Sequence, residues 1–166
     1  MRRSRWCRAM TFRMISALIP SILGAVPTLA AELRLTIAGV RSDKGEILVA
    51  LYDNADGFKS ALARAGTGGL MPHSGRLIGT AIRAQPGTQS TIFTQLPPGR
   101  YAIIVMHDEN DNGNLDKDGM GVPTEGYGFG NNAQGFLNLP TFDAAAITIA
   151  EANISTSIAL NYPRVP

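Results

Sequence analysis

Apolar and polar residues alternate along several short stretches of the chain, and this is the pattern of β-strands that bury one face. Residues 33–37 alternate in this way, and residues 46–52 place Ile47, Val49 and Leu51 on one face. Between the two stretches, residues 41–45 contain the Asp and Gly that are typical of turns. The pattern therefore predicts two strands that pair as a hairpin.

Further strand patterns follow at 77–83, 90–96, 101–106, 145–150 and 154–162. The stretch 101–106 is apolar on both faces, which predicts a central strand that is covered on both sides. Residues 58–65 predict one short helix. About seven short strands and at most one short helix predict an all-β fold, a mostly antiparallel β-sandwich. A barrel is the main alternative.

The first thirty residues have the layout of a signal peptide. Five arginines precede an apolar stretch at 14–26, and Thr28 and Ala30 supply the small residues of a cleavage site. We expect cleavage after Ala30, which leaves residues 31–166 as a single β-sandwich domain. An N-terminal membrane anchor is the alternative, but the apolar run is shorter than the roughly 20 residues that a spanning helix needs.

Removal of this segment changes the charge and the cysteine content. The whole chain has 15 basic and 13 acidic residues and a net charge of +2. Five of the basic residues lie in the first thirty, so ten remain against 13 acids, a net charge of −3. This charge gives no indication of nucleic-acid binding. Cys7, the single cysteine, is also removed. We expect a periplasmic or secreted protein without disulfides or a transmembrane segment after cleavage.

An acidic, Asn- and Gly-rich loop follows the apolar stretch at 101–106. Its oxygen-bearing side chains recur at the spacing D-x-N-x-N-G-x-x-D, which resembles the first part of a calcium-binding loop. The predicted Ca²⁺ ligands are Asp108, Asn110, Asn112 and Asp116.

The end of the loop departs from that pattern. Gly119 stands where a bidentate Glu is expected, so Asp118 or Glu125 would have to complete the ligand shell. The same residues also suit a loop that is stabilised by Asx turns without a metal. Both interpretations stay open at this point.

Glycines alternate with two aromatic residues in the segment 126–130. One interpretation is a tightly packed loop that the aromatic residues anchor to the sandwich. The other is an interaction surface for a protein, peptide or glycan partner, formed by Tyr127, Phe129 and Asn131.

The sequence contains no motif of a known hydrolase: the G-x-S-x-G and H-E-x-x-H patterns are absent, and residues 31–166 lack cysteine. No catalytic residue is therefore assigned. His107 lies beside the acidic loop and is either a hydrogen-bonded structural residue or, together with Glu125, part of a hydrolase site.

Three segments carry a family resemblance. These are GVRSDKGEILVALYD at 39–53, LPPGRYAIIVMHDENDNGNLD at 96–116 and GVPTEGYGFGNNA at 121–133. Together they resemble the bacterial family called domain of unknown function 2141, over residues 33–162. The resemblance implies an exported protein and supplies no activity or catalytic residue. The LPPG turn and its strand are also similar to those of prealbumin-like and carboxypeptidase-regulatory-like domains, and this resemblance implies an antiparallel sandwich of immunoglobulin-like or prealbumin-like type.

These observations favour an exported, non-enzymatic binding or accessory module that has a candidate Ca²⁺ loop and no other cofactor. A hydrolase that uses His107 and Glu125 is one alternative. A structural or surface-assembly protein is another.

Overall fold

The computed structural model describes residues 31–70, 77–134, 139–150 and 153–163. The predicted signal peptide lies outside these residues. The described residues form eleven elements, in the order β1 (Ala31–Val40), β2 (Glu46–Tyr52), α1 (Ala55–Arg64), β3 (Leu77–Arg83), β4 (Gly87–Leu96), β5 (Gly99–Asp108), β6 (Gly126–Phe129), a short 3-10 helix (Gly130–Asn132), α2 (Phe142–Ala145), β7 (Ala146–Ile149) and β8 (Ile154–Ala159). None of the described helices is long and apolar enough to span a membrane.

The strands form two sheets. In the three-stranded sheet, β1 lies between β4, which is antiparallel to it, and β8, which is parallel to it. In the five-stranded sheet, β2 pairs with β3 and β5. The other edge of β5 pairs first with β7 and then with β6. The all-β sandwich is confirmed, with eight described strands where about seven were predicted and with the four-residue α2 in addition to the predicted helix.

The predicted hairpin of the first two strands is wrong, because β1 and β2 lie in different sheets. The turn between them crosses from one sheet to the other. Gly45, at φ +64°, lies so close to β5 that a Cβ atom would be 1.8 Å from the carbonyl oxygen of Asp108. Turn residues indicate a change of direction, but they do not indicate whether the next strand returns to the same sheet or crosses to the other.

The main core lies between the sheets, where the alternating residues of β1, β2 and β5 meet. Leu33, Leu35 and Ile37 face Ile47, Val49 and Leu51, and all six side chains are buried with Tyr101, Ile103 and Val105. The other face of the five-stranded sheet is covered by the helices, chiefly by Phe58 and Ala61 of α1. The prediction that β5 is covered on both sides is therefore confirmed.

The Gly-aromatic segment forms the strand β6, which the sequence pattern did not predict. A Cβ atom at Gly126 would lie 2.4 Å from the Tyr162 ring, and one at Gly128 would lie 2.6 Å from the Ile158 side chain. One face of β6 therefore packs directly against the chain in and after β8. Side chains alternate along a strand, so Tyr127 points to the opposite face. Beyond β6, Asn132 bonds the β8 backbone, accepting from the Ala159 N–H and donating to the Ser157 carbonyl.

We predict that Gly128→Ala lowers the free energy of unfolding by about 1–3 kcal/mol, because the added methyl group overfills this contact. A Cβ atom there would also lie 2.9 Å from the backbone oxygen of Ala159. Gly119→Ala is the matched control, since nothing lies within 4 Å of the place that its methyl group would occupy. Denaturant unfolding of both variants measures the difference. Equal midpoints for the two variants would contradict the packing argument.

Candidate functional site

Asp108 lies at the base of the acidic loop and forms hydrogen bonds with the loop backbone. It is the last residue of β5, and only 2% of its surface is exposed. Its carboxylate accepts hydrogen bonds from the backbone N–H groups of Asn112 at 3.1 Å and Gly113 at 2.6 Å. Gly113 has φ +76°, a conformation that favours glycine. The buried carboxylate therefore stabilises the sharp bend in the middle of the loop.

The other three predicted ligands meet on the exposed side of the loop. The Asp116 carboxylate accepts from the side-chain amide of Asn110 at 2.7 Å and from that of Asn112 at 3.1 and 3.2 Å. Each asparagine oxygen accepts a backbone N–H two residues further along the chain, which is the Asx-turn arrangement. Among the described residues, no three His, Cys, Asp or Glu side chains group as a metal site. A cation here would need the asparagine oxygens.

Glu125 links the two ends of the loop. Its carboxylate accepts from the backbone N–H of Glu109 at 2.8 Å and from that of Asp116 at 2.9 Å. The residue is 4% exposed, and burial raises the pKa of its carboxyl group, with further upward contributions from Asp116 and Asp108. The sequence suggested Glu125 as a metal ligand. It did not indicate that Glu125 joins the two ends of the loop, because no local pattern marks such a contact.

The second candidate for the last ligand, Asp118, forms a separate turn. Its carboxylate accepts from the backbone N–H groups of Met120 and Val122, each at 2.9 Å. Asp118 and Glu125 thus both already accept hydrogen bonds from the backbone of this region.

An ion pair joins the loop to the crossing between the sheets. The Arg41 guanidinium forms a bidentate pair with Glu109 and also donates to the Thr124 carbonyl at 2.9 Å. The Ser42 hydroxyl donates to the same carboxylate at 2.6 Å. The pKa of Glu109 is lowered to about 2, mainly because Arg41 donates hydrogen bonds to its carboxylate. This pair connects residues 68 positions apart, and the sequence pattern did not predict it.

His107 is fully buried, and both of its ring nitrogens have partners. Nε2 lies 2.9 Å from the carbonyl oxygen of Lys44, which can only accept, so Nε2 carries the hydrogen. Nδ1 then accepts from the Tyr162 hydroxyl at 2.6 Å. This is the hydrogen-bonded structural histidine that the sequence offered as one interpretation. In this arrangement neither His107 nor Glu125 presents a free atom to a substrate, so the geometry does not support the hydrolase interpretation.

The three predicted interaction residues lie in different surroundings. Phe129 is 7% exposed and packs in the core on the helix side of the five-stranded sheet. Asn131 donates through its side-chain amide to the carbonyls of Ala144 and Ala146, which ties β6 to the end of α2. Tyr127 is half-buried and lines two surface cavities. Of the three side chains, Tyr127 has the surroundings that best suit a role in binding.

We predict that Arg41→Ala lowers the free energy of unfolding at neutral pH by about 1 kcal/mol, a modest value because the Arg41 side chain is 41% exposed. Glu109 has a lowered pKa, so its stabilising contribution is present above the ordinary value of 4.5 and is lost as the pH falls towards about 2. The difference between wild type and variant should therefore shrink over that range. Urea unfolding in the presence of a chelator measures it.

Arg34→Ala serves as the control, because Arg34 pairs with Glu32 at 3.4 Å on an exposed surface. Its effect should stay within about 0.5 kcal/mol at every pH. A difference between wild type and Arg41→Ala that does not change between pH 5 and about pH 2 would contradict the assigned titration.

Comparison with known proteins agrees with the sequence resemblance. Searches of curated proteins and of solved structures found no match. The family described as "Uncharacterized protein conserved in bacteria (DUF2141)" matches residues 35–157, which include most of both sheets and the whole acidic loop. The chain therefore belongs to the DUF2141 family.

Proposed function

We propose that the protein is an exported, non-enzymatic binding or accessory module whose acidic loop binds Ca²⁺. The observation that carries the proposal is the convergence of Asn110, Asn112 and Asp116 on the exposed side of one loop. Carboxylate and amide oxygens are the ligands that Ca²⁺ prefers. Asp108 and Glu125 stabilise the backbone of the loop, because their carboxylates accept hydrogen bonds from the N–H groups of Gly113 and Asp116.

The hydrogen bonds of Asp116 indicate what a cation would replace. Two asparagine amides now direct their NH₂ groups at the carboxylate and offset its charge. The oxygen and nitrogen of an amide have nearly the same size, so rotation of both amides would turn their oxygens towards an ion. This rotation would break the two Asx-turn bonds that the oxygens now accept, and the ion would have to offset that loss. Ca²⁺ would then neutralise Asp116 more strongly than the amides do. The neighbouring strands are already formed without an ion, so we expect Ca²⁺ binding to stabilise mainly the loop. Extracellular Ca²⁺ modules typically have a Kd of about 0.1–1 mM, which suits a loop with few carboxylates.

Export is the second part of the proposal, and the charge pattern and apolar stretch of residues 1–30 support it. Expression in a bacterial host with mass measurement of the periplasmic fraction tests export. A product that begins at Ala31 is expected, and an uncleaved product in the cytoplasm would contradict it.

Calcium binding is tested by thermal unfolding in chelator and in about 10 mM CaCl₂. At roughly 10 to 100 times the Kd, bound Ca²⁺ adds about 1.4–2.7 kcal/mol to the free energy of unfolding. For a domain of this size, the corresponding rise in Tm is roughly 5–10 °C. A parallel measurement in MgCl₂ reports selectivity, because Mg²⁺ requires a near-ideal octahedral site.

Asp116→Asn should abolish the rise in Tm, since it removes the carboxylate on which the loop side chains converge. Asp143→Asn is the matched control, because it removes one acid from α2, where the carboxylate pairs with Arg100 at 2.7 Å. This control should retain the full response. An unchanged Tm of the wild type in CaCl₂, or an equal rise in Asp116→Asn, would refute calcium binding by this loop.

A further inference from the structure

A second site goes beyond the proposed function. A cavity of about 290 Å³ lies on the helix side of the five-stranded sheet, between α1, β5, β6 and the chain that follows the acidic loop. Most of the residues that line it are apolar. The side chains that matter for the inference are Leu62, Leu70, Met106, Leu115, Tyr127 and Leu139.

Two of the cavity walls are held by strand β5 and by a backbone hydrogen bond. Met106 is 1% exposed and belongs to β5, while Leu115 is fixed by a 2.7 Å bond from its N–H to the carbonyl of Ala65 at the end of α1. Leu139 leaves 58% of its surface exposed beside the cavity. Small-molecule sites are typically concave and lined mainly by apolar side chains, with a few polar groups.

Lys117 is the single charged residue among those that line the cavity. Its ammonium group lies over Gly66, 3.6 Å from the place that a Cβ atom would occupy there. Lys117 is not part of the ion pairs that Arg34, Arg41 and Arg100 form with carboxylates. The cavity thus combines mainly apolar walls with one ammonium group that forms no ion pair within the described residues.

We propose that this cavity binds a small organic carboxylate with a short aliphatic tail. The tail fills the apolar recess, and the carboxylate binds the Lys117 ammonium. The volume lies at the lower end of the range for ligand pockets, which favours a short tail over a long lipid chain. A carboxylate is the head group that the Lys117 ammonium attracts, and a cationic head group is disfavoured for the same reason.

Lys117 also lies at the C-terminal end of α1, where a cation interacts favourably with the helix dipole. A purely structural role there would change stability and leave ligand binding unaltered. The experiment therefore measures both quantities in the same variants.

The test is calorimetric titration of the purified protein with octanoate, in chelator so that the acidic loop carries no metal. We expect binding with a Kd below about 1 mM. Hexanoate should bind more weakly, by about fourfold for each methylene group lost from the recess. Octylammonium should not bind measurably. Absence of octanoate binding, or equal affinity for octylammonium, would overturn the proposal.

Three variants assign the site. Lys117→Gln should weaken octanoate binding by about two- to fivefold, because an exposed ion pair is lost. Lys59→Gln removes an exposed lysine of α1 that does not line the cavity, and it should leave the Kd unchanged. Leu62→Trp should fill the recess and abolish binding.

Circular dichroism and thermal unfolding establish that each variant is folded. If Lys117→Gln changes the Tm but not the Kd, the lysine only stabilises the helix end, and the proposal fails. If folded Leu62→Trp binds octanoate as well as the wild type does, the ligand occupies another place, and the proposal also fails.

Discussion

Two backbone N–H groups at opposite ends of the acidic loop share one buried carboxylate, that of Glu125. Through these two bonds the chain after β5 closes on itself at residues 109 and 116. The other contacts of the loop depend on this closure. Asp108 stabilises the bend between the two ends, and Arg41 reaches Glu109 beside the first of them. A buried carboxylate without such donors would cost several kcal/mol.

The two glutamates of this region have pKa values that shift in opposite directions. Glu109 has a pKa lowered to about 2, chiefly because Arg41 donates to it, so it stabilises the fold above its ordinary pKa. Burial raises the pKa of Glu125, so its contribution to stability is present below its ordinary value and declines as the pH rises through the raised one. A bound cation of the kind proposed would lower the pKa of Glu125 and offset this cost.

Much of the sandwich is predictable, because the alternation of apolar and polar residues indicates which face of each strand is buried. The pattern placed β2 at Glu46–Tyr52, as the structure has it, and it identified β5 as a strand covered on both faces. The strand β6 was not predicted, because its glycines are typical of loops. They are needed for the close approach to β8, which is a property of the tertiary structure.

The sequence pattern indicated the region of the candidate site but few of its contacts. The spacing of Asn110, Asn112 and Asp116 is local, and the structure does bring these side chains together. The bond between Glu125 and the Glu109 N–H spans 16 residues, and the Arg41–Glu109 pair spans 68. Contacts at such separations are set by how the sheets pack, so a single sequence contains no periodic signal for them.

The central claim is that the Glu125 carboxylate closes the acidic loop, and amide NMR tests it most directly. In chelator, the N–H signals of Glu109 and Asp116 should shift together as the pH is changed, with one common midpoint above the ordinary glutamate pKa of 4.5. That common transition should be absent in Glu125→Gln. If the two amide signals shift with separate midpoints, or if Glu125→Gln retains the common one, the account is contradicted.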